Sequence, residues 1–171
     1  NPFLDDFLPF QAVVARYGMY NGLSQLLVKV AAPGVPDCYQ GAELWELNLV
    51  DPDNRRPVEY ALRARMLKEF DGAATNVEYW QDGRLKLFIL QAALRHRRAY
   101  PDLYLHGDYV PLDCEGPHQF HLCAFARLHQ DQAVVAVAPR FMAGSAATRD
   151  EGRPDDTWRD TWLTVPSWKA G

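Results

Sequence analysis

At 171 residues, with 48% hydrophobic and 23% charged, the chain has the make-up of one ordinary globular domain or two small ones around a real apolar core. A net charge of -4 shows no basic surplus, which argues against nucleic acid or an anionic membrane as a main partner. No apolar run reaches the roughly 20 residues of a membrane helix, and Cys38, Cys114 and Cys123 lack metal-type spacing, so free thiols in a reducing cytoplasm fit better than disulfides.

Phe3, Phe7, Phe10, Val14 and Tyr17 recur at helical spacing, and Asn1 and Pro2 suit a helix start, so a first helix is predicted from the N-terminus. Pro9 predicts a kink or a later start, and Gly18 a stop. A second helix is predicted from about Asn21, with Leu23, Leu26, Leu27 and Val30 on one face, ending at Pro33 and Gly34. Residues 35–39 then read as a short buried strand between turn signals. A third helix is predicted from Pro57, well placed as its first residue, to about Phe70. A fourth spans about 83–99. It is apolar on most faces through Leu85, Leu87, Phe88, Ile89, Leu90 and Leu94, as a helix buried against the later strands would be, and its basic last turn suits the helix dipole.

After Pro101 the texture changes to short strands and turns, predicted at 104–105, 109–112, 119–127, 133–138 and 158–165. The run AVVAVA from Ala133 to Ala138 reads as a central strand covered on both faces. Residues 144–156 form a long charged loop. His118 and His121 are spaced to point to opposite faces of a strand, which argues against a zinc site. Trp158 and Trp162 would share one strand face, better suited to packing than, with Trp168, to a sugar platform.

The densest chemistry lies in DPDNRRP, from Asp51 to Pro57, where two carboxylates, an amide and two guanidiniums sit between prolines. A loop that only had to turn would use Gly, Asn or Ser. Adjacent guanidinium forks beside carboxylates can hold a charge-assisted network that leaves donors for a hydroxyl-rich ligand, or can simply pin the loop as an ion-pair knot. Both readings stay open on spacing alone.

The segment PGVPDCYQGAE, from Pro33 to Glu43, resembles the last barrel strand and following loop of the alpha-amylase superfamily (glycoside hydrolase family 13). The continuation DPDNRRPVEY, from Asp51 to Tyr60, is similar to the maltooligosyltrehalose synthase family within it, with weaker similarity at DGRLKL, GDYVPL and AFAR. The resemblance implies an α+β chain in two parts. Residues 1–100 would be the C-terminal remnant of a TIM-type (β/α)8 barrel, with its last strand near 35–39 and an active-site loop at 39–57. Residues 101–171 would be a small antiparallel β-sandwich, incomplete at its end.

Enzymes of the superfamily retain configuration through a carboxylate nucleophile and an acid. Asp37, Glu43 and Glu46 match none of the family's catalytic positions, so the resemblance implies a piece of a longer cytoplasmic enzyme that holds no catalytic residue, metal or cofactor of its own. That enzyme would convert the reducing-end α-1,4 linkage of malto-oligosaccharides into an α,α-1,1 linkage. Tyr39, Gln40, Glu43, Asp53, Asn54, Arg55 and Arg56 would contribute pocket wall toward the sugar, and the partners would be the malto-oligosaccharide and the remainder of the barrel. A stand-alone carbohydrate-binding or structural β module, and a fragment of another alpha-amylase-type hydrolase, remain the competing readings.

Overall fold

The computed structural model describes residues 1–48, 51–69, 77–144, 158, 160–165 and 167. The chain divides into two compact units, one made of Asn1–Gly34 with Tyr100–Gly171 and one of Val35–Ala99.

The first unit begins with a single 30-residue helix, α1 (Pro2–Ala31), where two helices were predicted. Asn1 caps it, its side chain accepting the Phe3 N–H at 3.1 Å, and Pro2 takes a first-turn position whose N–H has no helical partner anyway. Pro9 lies inside the helix on an exposed stretch, where water can satisfy the carbonyl that its missing N–H would have bonded. Gly18 does not stop the helix either. Apolar contacts beyond it, through Met19, Leu26 and Val30 (each no more than 6% exposed), outweigh the roughly 1 kcal/mol that glycine costs in a helix interior.

After α4 (Pro101–Leu105), which replaces the predicted strand at 104–105, the antiparallel strands follow. The strands β1 (Asp108–Pro111), β3 (Leu122–His129) and β4 (Gln132–Pro139) form one sheet in the order β1-β3-β4. Phe125 lies opposite Pro111 on one side and Ala136 on the other. The central strand is therefore β3, and AVVAVA lies on the edge strand β4. Its apolar run reflects cover by α1, since Ala31 and Val28 pack with Phe125 and Ala136. A second ladder joins β2 (Cys114–Glu115) to β5 (Trp162–Leu163).

Arg127, on β3, is only 2% exposed. Its Nη2 donates to the carbonyls of Tyr104 at 2.9 Å and Gly107 at 2.7 Å, and Nε to Asp108 at 3.4 Å. The buried guanidinium thus ties the C-terminal carbonyls of α4 to the sheet, where the helix dipole favours a cation.

His118 and His121 do not point apart. The backbone at 119–121 is a 3-10 turn rather than strand, which brings the two rings to 5.9 Å. Trp158 lies in a turn edge-on to His118, so it shares no strand face with Trp162. Trp168 and most of the predicted 144–156 loop fall outside the described residues.

The second unit has no strand at 35–39. The segment is extended and joins no ladder among the described residues, and Val35 is 88% exposed. A parallel strand needs a neighbouring strand to form its ladder, and none of the described strands lies beside this segment. The unit's helices are α2 (Tyr60–Lys68), which starts three residues after Pro57, and α3 (Arg84–Ala99). Leu87 of α3, Met66 of α2 and Leu44 form a core flanked by Leu62. Three residues of α3 are buried: Leu87 and Leu90 share one face, and Leu85 lies on the other side of the first turn. Phe88 and Ile89 are half-buried, and Leu94 is 38% exposed. The expectation that Phe88 and Leu94 are fully buried does not hold.

Candidate functional site

The loop from 39 to 57 belongs to the second unit, and one side chain the sequence did not single out organises its first turn. Gly41 sits at φ +93°, a conformation that costs a residue with a Cβ. That turn aims its polar groups at α2. The Glu43 carboxylate accepts the Gly41 N–H at 3.0 Å and the Arg63 Nε–H at 2.9 Å. Arg63 also donates from Nη2 to the Gly41 carbonyl at 2.9 Å and from Nη1 to the Glu59 carbonyl at 3.2 Å. The Arg63 and Glu43 side chains are 14% and 25% exposed, so this clamp is largely shielded from water.

A second cluster follows at once. The Trp45 indole N–H donates to the Trp80 carbonyl, and the two rings meet edge to face at 5.8 Å. Lys86, on α3, donates to the Leu44 carbonyl at 2.8 Å and sits 5.2 Å over the Trp45 ring, a cation–π contact. Gly83, at φ +82°, lets the chain pass close to Leu44, since a Cβ there would lie 3.1 Å from that side chain. Both ends of 41–45 are thus fixed to helices.

The arginine loop carries a 3-10 turn at Asp53–Arg55, closed by the Arg55 N–H on the Pro52 carbonyl at 3.0 Å. Arg55 forms a two-pronged pair with Asp51, Nε to Oδ1 at 2.6 Å and Nη2 to Oδ2 at 2.9 Å, with both side chains more than half exposed. Asn54 is half-buried, and its Oδ1 is shielded from water without a hydrogen-bond partner among the described residues. Arg56 is exposed, as are Tyr39 (51%) and Gln40. The Asp53 side chain lies outside the described residues.

The predicted set therefore separates into parts. Glu43 is engaged by Arg63 and Arg55 by Asp51, while Tyr39, Gln40 and Arg56 are exposed. Arg63 was missed because its partners lie about 20 residues upstream in a glycine turn. Its one local signal, Glu59 four residues before it, reads as an ordinary surface pair. Trp45, beside Glu43 in a polar loop, carried a visible aromatic signal that was passed over.

No family model matches the chain. A Mycobacterium tuberculosis (strain H37Rv) protein named as a maltooligosyl trehalose synthase is 43% identical over 162 residues, which is 93% of this chain and 19% of that protein. The chain thus spans about a fifth of the length of the curated relatives it matches. A point mutant of maltooligosyltrehalose synthase from Arthrobacter ramosus superposes with a TM-score of 0.77 at 34% identity, over 97% of this chain and 20% of that one. A further maltooligosyl trehalose synthase crystal structure gives 0.69 at 29% identity, over 81% of this chain and 18% of that one.

Proposed function

From a chain homologous along nearly its whole length to about a fifth of a maltooligosyl trehalose synthase, we propose that it is the C-terminal part of such an enzyme in the alpha-amylase superfamily. The enzyme is a cytoplasmic isomerase. It moves the reducing-end glucose of a malto-oligosaccharide from an α-1,4 to an α,α-1,1 linkage by transfer within one bound molecule. The observation that carries this reading is 43% identity over 162 residues, 93% of the chain.

In this reading the nucleophile and acid lie on polypeptide outside these 171 residues, and the 39–57 loop supplies wall on the acceptor side. A transferred sugar needs a site closed to water, because water competes for the glycosyl intermediate. Fixed, charge-assisted donors on a pinned loop suit that task. Arg63 and Asp51 then act as positioning residues. Arg63 holds Glu43, and Asp51 holds Arg55, whose forks orient the surface that Tyr39, Gln40, Asn54 and Arg56 present to glucose hydroxyls.

The test compares the 171-residue chain with the longer reading frame containing it, on maltopentaose. Trehalose-capped product from the longer protein and no glucose or capped product from the chain alone is the expected result. Turnover by the chain alone that survives replacement of Asp37, Glu43 and Glu46 would overturn the division of labour. A longer protein that releases only hydrolysis products would favour an ordinary alpha-amylase-type hydrolase.

A further inference from the structure

The first half of α1 is apolar around most of its circumference and touches little. Phe3, Leu4, Phe7, Leu8, Phe10, Val13 and Val14 are between 43% and 66% exposed, while the buried residues of the helix begin only at Met19. At 100° per residue these seven side chains cover an arc of more than half the helix, far wider than the stripe a surface helix uses for a single core contact. Scattered exposed apolar residues are normal, but Phe3, Phe7, Phe10 and Val14 fall within about 60° of one another, and such a stripe of three phenylalanines and a valine marks an interaction surface. Phe3 and Phe7 already stack on each other at 5.4 Å, leaving their outer faces open.

We propose that the 3–14 stretch of α1 is a docking face whose occupant is the remainder of a longer polypeptide, the part that corresponds to the four-fifths of the relatives' length with no counterpart in this chain. The proposal rests on the reading given above. The length argument selects this occupant over a second copy: the relatives carry several hundred residues of additional polypeptide in the same molecule, at an effective concentration no separate partner reaches. Pro9 fits this assignment. Its exposed ring and missing N–H form part of an apolar surface, and the carbonyl it orphans is open to a donor on the covering layer.

The test uses single cysteines placed at Phe10→Cys and Val14→Cys, with the exposed Ala12→Cys on the other side of the helix as comparison, after replacement of Cys38, Cys114 and Cys123 by Ser. In the 171-residue chain the three sites should react with a maleimide at similar rates. In the longer protein, Phe10→Cys and Val14→Cys should react at least about ten-fold more slowly than in the short chain, because reaction then requires local opening. Undiminished reactivity in the longer protein overturns the docking face, while its maltopentaose activity, measured on the same sample, reports separately on the functional reading. Protection already present in the short chain also overturns it: if dilution removes that protection the occupant is a second copy, and if not, the face is covered from within the 171 residues.

Discussion

Two ion pairs in one loop separate structural from ligand-facing charge. The Arg63–Glu43 pair is shielded and shares its donors with two backbone carbonyls, whereas Arg55–Asp51 is open to water. Arg63→Ala should lower stability by about 1.5–3 kcal/mol, since it leaves a half-buried carboxylate and the Gly41 carbonyl without their donor. Arg55→Ala should change stability by no more than about 1 kcal/mol. Urea melts of both variants make the comparison, and equal losses would refute the distinction. Cys114 offers a pH-dependent readout. Burial is the largest cause raising its thiol pKa above the ordinary 9.0, Asp113 and Cys123 add to it, and Arg140 opposes it. A thiol with a raised folded pKa contributes stability that is full below the unfolded value and lost as pH rises through the folded one. The alkaline limb of the stability profile should therefore be flatter in Cys114→Ala, and iodoacetamide should modify Cys114 more slowly at pH 8 than a cysteine in an unstructured peptide.

At the level of elements, periodicity located helices well and their ends less well. It placed α3 to within a residue, because apolar side chains crowd its first half and a basic turn marks its end. It split α1 in two, because Pro9 and Gly18 are strong local breakers whereas the packing that overrides them involves residues a hundred positions away. The same blindness to distant partners turned 35–39 into a strand and β4 into a central one, since an apolar run reports cover without saying which element provides it. In the candidate site, the loop was legible from its charge density and Arg63 was not, because nothing local links a helix arginine to a glycine turn. Two substitutions follow from the observed packing. Leu87→Ala should cost about 2–5 kcal/mol and Phe88→Ala clearly less, as Leu87 is 4% exposed and Phe88 half-buried. Gly18→Ala should instead raise stability by about 0.5–1 kcal/mol, since a Cβ there meets no atom within 4 Å. Thermal melts that rank Phe88→Ala below Leu87→Ala, or show no gain for Gly18→Ala, would count against this packing.

For the molecule as a whole, the proposed role makes Arg55 a test of function that stability cannot confound. In the longer enzyme, Arg55→Ala should raise the ratio of free glucose to trehalose-capped product from maltopentaose by about ten-fold, the value of one charged hydrogen bond of about 1.5 kcal/mol in the partition between acceptor and water. An unchanged ratio would leave the arginine with only its loop-ordering role. The division of the chain carries a further consequence, for the order in which it can be made. The first unit closes only when the end of α1 meets Phe125 and Ala136, about a hundred residues later, whereas Leu44, Met66 and Leu87 can find one another within a much shorter stretch. On a ribosome adding residues in order, the later-starting unit is the earlier to finish, and the C-terminal half of α1, from Met19 to Ala31, waits for the strands that cover it. Nascent chains stalled between Ala99 and β3 thus hold Val28 and Ala31 without their apolar cover, a state that invites chaperone binding.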